Sequence, residues 1–478
     1  MAAIITEKFR LHNAKEFKQS ATETGNAMYM FIGRPLSWTD DNNPPTPVDS
    51  LNDEYDAYAN MVALKKVSST DVSHAIIRRD WTSGTAYDEY RHNYTSSNTA
   101  TSGASTLWAS TFYVVTSDYN VYKVISNNGG ANSTVMPSGT STNILTTGDG
   151  YKWKFMFSIS ASDVIKFVTS DFIPVKTIGA KAGVEGDVGG LGTAAADDNS
   201  AQWDVENGAT DGTIEHARVT AGGSYVGASD GNYNVAISGD GASGQLQVTV
   251  SSNAITAVTV NAVGSGYSVA SIDNTLLQTA TSSSGTGAVF DIIISPKNGH
   301  GADPTEELGG NYVIANSRLE YAEGSGDFPT DNDFRQIGLI VNPTDAGGNT
   351  LSTATTLSAL NRMTLNSGAT MPVVDDTIAN AASVVAGTAT GKVVSIDATN
   401  RYIYFLPSVD AVGNFNNFSA ANSVFVGSTS KGTISSGGVS GSYPEIQRNS
   451  GDIVYLENRG AVARAADQIE DIKLIIEM

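Results

Sequence analysis

The sequence predicts an α+β, β-dominated fold: a discontinuous mixed core domain carrying two inserted Gly/Ser/Thr-rich β modules. Three observations predict it. Short β-branched and aromatic runs closed by Gly or Asn recur along the whole chain, whereas helical patterns are few. Texture alternates: 1–178, 300–343 and 441–478 mix charged and large apolar residues, while 179–299 and 344–440 are rich in Gly, Ala, Ser and Thr. The first of these lighter stretches also contains an internal repeat. The organisation expected is therefore a core in three segments (1–178, 300–343, 441–478) with β modules inserted at 179–299 and 344–440. With 478 residues the chain exceeds one ordinary core, which suggests two to four domains.

In the first segment an apolar strand is expected at the start, followed by a helical pattern, KFRLHNAKEFKQSA. MYMFIG (28–33) has strand composition and ends at a glycine, and PLSWTDDNNPPTPVDS is a proline-rich loop. SLNDEYDAYANMVALKK reads as one helix. Ser50 is its N-cap, acids fill its first turns, and Lys65 and Lys66 stand at its end, as the helix dipole favours. STFYVVTSDYNVYKVISNNGG reads as strand–turn–strand. GDGYKWKFMFSI (148–159) opens with a tight turn, after which Tyr151, Trp153, Phe155 and Phe157 alternate along one buried face.

In 179–299, VTAGGSYVGA (219–228) echoes VNAVGSGYSVA (260–270), and SGQLQVTV (243–250) echoes TGAVFDII (286–293). Two related β units that pack together are expected, too few for a solenoid. In 344–440 the runs GKVVSIDA, RYIYFLPSV, NSVFVG and KGTISSG are separated by turn signals, which points to a small sandwich or barrel.

Composition bounds function. A formal net charge of −21 argues against a nucleic-acid partner, because such binders replace phosphate counterions with Lys and Arg. Cysteine is absent, so disulfides and Cys-ligated metals are excluded. MAAIITEKFR lacks the apolar core of a signal peptide, and no run of about 18 apolar residues suits a membrane span. These readings predict a soluble, acidic protein made inside the cell, with no membrane insertion.

The chemistry-bearing motifs are sparse. His12, His74, His92, His216 and His300 show no helix-face spacing, so a catalytic zinc site would need three gathered from distant segments. No G-x-S-x-G stands between a buried strand and a helix. NGHGADPTEELGG (298–310) lacks the K-[ST] of a nucleotide loop and reads as a loop whose Asp303 caps a helical turn begun by Pro304. The acidic loops at Glu185–Gly190 and 228–232 do not match the twelve-residue calcium-binding spacing. No catalytic, cofactor-binding or metal residue is assigned, no cofactor is expected, and the chain is read as not an enzyme.

IIRRDW (76–81) is the sharpest charge cluster. Arg78 and Arg79 can pair with Asp80 or with acids elsewhere, and arginine forks with tryptophan also anchor interfaces. Bracing of the fold or an interface fits better than catalysis.

FIGRPLSW (31–38), IIRRDW (76–81), GDGYKWKFMFSI (148–159), FRQIGLIVNP (334–343) and SGDIVYLENRGAVARAADQIEDIKLIIEM (450–478) stand in one order. In that order they resemble the dimeric baseplate wedge subunit of T-even-type contractile-tailed bacteriophages. These words lie in the three core segments. The inserted modules match nothing in that family, and the absence of cysteine departs from its T-even members. The resemblance implies a structural virion protein of a tail baseplate, assembled in the host cytoplasm. It would be a homodimer that docks other wedge proteins and helps couple host recognition to sheath contraction. The residues it singles out for interface or bracing are Arg34, Trp38, Arg78, Arg79, Asp80, Trp81, Trp153, Arg335, Asn458 and Arg459. Two rival readings stay open. One is a glycan-binding tail module whose repeat supplies Tyr225, Tyr233 and Tyr267. The other is a tail-associated glycan depolymerase, for which no acid pair stands out.

Overall fold

The structure, a computed structural model, describes residues 4–23, 25–187, 195–320, 328–330, 332–465 and 468–478. It is α+β and dominated by strands, 40% strand against 12% helix, as the sequence predicts. The chain forms two compact units. The first comprises Met1–Phe17, Ser73–Ile314 and Ile475–Met478, and the second Lys18–Val72 and Ala315–Leu474.

The first unit is built on an antiparallel sheet in the order Tyr113–Val115, Asn120–Ser126, Lys152–Ser158, Leu145–Thr146. Both of its faces are buried. Tyr122, Val124, Trp153 and Phe155 pack with Tyr87, Tyr151 and Val205 on one side. Tyr113, Val121, Met156 and Phe157 pack with Tyr90, Phe112, Ile173 and Ile293 on the other. The expectation of one aromatic face holds for Tyr151, Trp153 and Phe155 but fails at Phe157, which joins Met156 in the opposite core: the register shifts there, with Val121 opposite Phe157 and Tyr122 opposite Phe155, and the bulge breaks the alternation. Strand–turn–strand at 113–126 and the strand at 152–158 fall where the sequence puts them.

The repeat in this unit has a reciprocal pairing. Strand Ala242–Ser251 pairs with Ala254–Ser265, and Thr286–Ile294 pairs with Ile214–Ser224. The second strand of each repeat therefore pairs with the first strand of the other. The equivalent tyrosines, Tyr225 and Tyr267, are both buried, in adjacent small cores. Close-fitting glycines make the room: a Cβ at Gly285 would lie 2.3 Å from the Tyr225 ring, and one at Gly244 2.8 Å from the Tyr267 hydroxyl.

The second unit holds an antiparallel sheet in the order Thr356–Ser358, Met61–Lys66, Met28–Gly33, Asn332–Val341, Asp452–Arg464. Every residue of MYMFIG is buried, as a central strand demands. A closed six-stranded barrel follows, built from strands between Asn361 and Val439 and filled by Met363, Leu365, Ile378, Val393, Phe405 and Ile434.

Two further local expectations fail. Ile4–Thr6 form no strand, and the first helix begins at Glu7. The helix expected through Lys66 spans only Leu51–Asn60, after which Met61–Lys66 is a strand. Its start is as read, with the Ser50 Oγ accepting from the Asp53 N–H at 3.2 Å. Its end is set by pairing: Leu64 lies opposite Phe31 and Ala63 opposite Ile32. The apolar run MVAL gains more from burial in that sheet than from helix propensity, and this overrides the dipole-favouring lysines.

Candidate functional site

The ten predicted residues form two nodes. Five gather in the second unit, around the proline-rich loop that follows Gly33. Arg34 takes a positive φ of 55°, and its guanidinium lies 3.6 Å from the centre of the Trp38 ring. Its Nη1 stands 3.3 Å from Asp56. The Trp38 indole N–H donates to the Arg459 carbonyl at 3.0 Å, tying loop to strand. Arg335, 4% exposed, forks onto Asp41 through Nε at 3.0 Å and Nη2 at 2.9 Å, and its Nη1 donates to the Pro35 carbonyl at 3.0 Å. Asn458 donates to the Pro45 carbonyl at 3.0 Å and accepts from Gln336 at 2.9 Å. Arg459 itself is half-exposed, its Nε 3.8 Å from Glu457.

Asp41 is the residue sequence reasoning missed here. It accepts from Arg335 and from the Trp38 N–H at 2.7 Å, and the Arg335 bond holds its carboxyl below the usual range. The paired acids in WTDDNN, two and three positions past Trp38, were the available signal.

The other five residues lie in the first unit. Arg78 forks onto Asp80 at 3.0 Å through Nε, and its Nη1 donates to the Thr169 carbonyl at 3.0 Å. Arg79 reaches the Ser110 carbonyl and lies 4.9 Å over the Tyr113 ring. Trp81 donates to the Val115 carbonyl at 2.9 Å through its backbone and to Ser133 Oγ at 3.1 Å through its indole. Trp153 is fully buried, stacked on Tyr151 with centroids 5.3 Å apart. Thus RRDW fastens one strand end to three separate loops.

Asp149, in the turn before the aromatic strand, closes this node. Its Oδ2 accepts from the N–H groups of Thr134 at 2.7 Å and Val135 at 3.0 Å and from Ser133 Oγ at 3.1 Å. Its Oδ1 accepts from Thr147 Oγ1 at 2.5 Å and the Tyr151 N–H at 3.3 Å. Burial pushes the carboxyl up, but these donors outweigh it and hold it at about 2. A depressed folded-state value stabilises the fold above the unfolded value of about 4, and that contribution is lost as pH falls toward 2. Asp149→Asn turns an NH2 toward donors in either orientation. It should lower stability at pH 7 by roughly 1–3 kcal/mol, with the gap to the parent closing between pH 4 and pH 2. Urea unfolding at several pH values checks this; a gap independent of pH would contradict it.

A third set, also in the first unit, was invisible in sequence. Lys123, fully buried, pairs with Glu307, which also accepts from the Gly301 N–H at 2.7 Å and the Asp303 N–H at 3.2 Å. The loop read at 298–310 therefore cradles a carboxylate of its own chain. Its Asp303 cap is present, with Oδ1 accepting from the Glu306 N–H at 2.9 Å. Arg91 pairs with Asp291, Arg218 stands 3.2 Å from the same carboxylate, and His216 lies 3.4 Å from Glu89. Burial raises Glu89, and burial with neighbouring cations lowers His216 to about 4. These pairs fix the repeat strands to the 89–93 loop.

Of the five histidines, His300 packs edge-on to Tyr90 and His92 accepts from the Ile294 N–H at 3.3 Å. Among the described residues no group of three or more His, Asp or Glu is arranged to hold a metal ion, and no helix is long and apolar enough to cross a membrane. Of the acidic loop at Glu185–Gly190, residues 188–190 lie outside the described residues.

Fold and nodes together define a β-rich scaffold whose loops are locked by charge-assisted and aromatic contacts. Residues 3–126 match the family model described as Bacteriophage T4, Gp8. The chain is also similar to the baseplate wedge protein gp8 of Enterobacteria phage T4, 27% identical over 203 residues, which cover 36% of this chain and 60% of that protein. It thus spans less than two thirds of that relative's length. The family match takes in Arg34, Trp38 and the run Arg78–Trp81, and leaves out Trp153, Arg335, Asn458 and Arg459.

Proposed function

We propose that this chain is a structural component of a phage tail baseplate wedge. In this reading it is a homodimeric docking platform and spacer that links wedge proteins and helps couple host recognition to sheath contraction, without enzymatic activity. The observation that carries the reading is the similarity of residues 3–126 to a baseplate wedge family, in a region where RRDW and the Arg34–Trp38 stack fasten loops to strands. A spacer that transmits force needs such locked loops. The two lighter modules, 179–299 and 344–440, are in this reading insertions into the core, and the particle is assembled in the host cytoplasm.

Immunogold labelling of purified particles tests the location. Gold at the plate where tube and sheath end, before and after contraction, is the expected result; gold on fibre tips, or on no particle, overturns it. Sedimentation of the purified chain tests the dimer separately.

A further inference from the structure

One arginine of the barrel is set apart from all the others. On strand Asn361–Leu365, Met363 and Leu365 fill the barrel core, so Arg362 faces outward. Tyr404 stands opposite it in register, and Tyr402 lies on the same face of strand Tyr402–Ser408. The guanidinium lies 4.4 Å from the centre of the Tyr402 ring and 4.0 Å from that of Tyr443. Tyr404 closes a third side, edge-on to Tyr402 at 6.4 Å and to Tyr443 at 5.9 Å. All four side chains keep part of their surface exposed.

Every other described arginine hydrogen-bonds or ion-pairs with a carboxylate, carbonyl or amide oxygen through its side chain. Among the described residues the Arg362 side chain has neither a hydrogen bond nor an ion pair, and its Nε is buried with no acceptor. In a chain of net charge −21 an arginine without an acid is unexpected.

We propose that Arg362, Tyr402 and Tyr443 form a slot for an aspartate or glutamate side chain of a partner protein. Two rings lie against the guanidinium, and its fork of donors matches a planar carboxylate. Beside the slot lies a groove of about 410 Å³ lined by Asp345, Leu357, Ser442 and Glu445 among others. Its two carboxylates repel a run of negative charge. They select against an acidic polysaccharide and favour a peptide whose single acid is flanked by basic residues. Tyrosine and arginine are also the residues most enriched where protein interfaces concentrate their binding energy.

The test uses the full chain labelled with ¹⁵N-arginine and three probes: acetyl-Lys-Glu-Lys-amide, acetyl-Lys-Gln-Lys-amide and glucuronate. The Arg362 Nε–H signal, assigned by its loss in Arg362→Gln, should shift saturably with the Glu peptide and at least tenfold more weakly with the Gln peptide. Saturation transfer to the Glu peptide should vanish in Arg362→Gln. It should fall several-fold in Arg362→Lys, which keeps the charge and loses the fork, and in Tyr443→Leu. A signal unmoved at about 10 mM peptide, well above the millimolar affinity expected of one charged pair, overturns the proposal. So does an equal response to both peptides, and tighter binding of glucuronate overturns the choice of a protein partner. Wedge assembly enters none of these readouts, so the result stands apart from the proposed function.

Discussion

Glu307→Ala should destabilise the first unit by about 3–5 kcal/mol, the largest loss expected of any single charge removal in this chain. Lys123 has no exposed surface, and burial already lowers its pKa, with Glu307 as the main opposing influence. Removing that carboxylate leaves an ammonium in a dry site and also strands the Gly301 and Asp303 N–H groups. The lysine would then shed its proton in the folded state well before it does so unfolded. Between those two pKa values the unfolded chain holds more protons, so the stability of the variant should rise as pH is raised from 7 toward 10. The double change Lys123→Met with Glu307→Leu removes the buried charge and should recover more than half of the loss. Urea unfolding followed by tryptophan fluorescence measures all three proteins; a double variant as unstable as the single one would refute the buried-charge account.

Trp153→Ala should cost a further 3–5 kcal/mol on the wild-type background, because the ring is fully buried and its loss leaves a cavity the sheet cannot collapse into. The ring stacks on Tyr151 and meets Tyr87 edge-on at 6.1 Å, and its indole N–H donates to Thr147 Oγ1 at 3.2 Å. Trp153→Phe keeps most of the volume and should cost about half as much or less. Near-ultraviolet circular dichroism should lose the signal of the stacked pair in both variants. A loss below about 1 kcal/mol for the alanine variant would mean that the two cores of this sheet do not depend on the ring.

Much of the fold was legible locally. The Ser50 and Asp303 caps, the strand at Met28–Gly33 and the shared face of Tyr151, Trp153 and Phe155 follow from residue types within a few positions of one another, whereas the bulge that turns Phe157 to the other core does not. The repeat was legible too, but not its use. The sequence offers Tyr225 and Tyr267 as surface platforms, whereas their rings fill the repeat's own cores. Of the candidate nodes, adjacency made RRDW visible, and the Arg78–Asp80 pair lies within it. The partner of Arg335 could not be read, because Asp41 is 294 residues away.

By itself, then, the sequence determined what short-range chemistry controls: where the capped helices at Ser50 and Asp303 start, that runs such as Met28–Gly33 and Lys152–Ser158 become strands, and that the chain is acidic. The tertiary structure alone decided where the second helix stops, which cations meet which acids, and which arginine is left without one. Ion pairs such as Lys123–Glu307 and Arg91–Asp291 join residues 184 and 200 positions apart. No local pattern encodes such a meeting, since the free energy of a charge depends on the burial and the neighbours that only the assembled fold supplies.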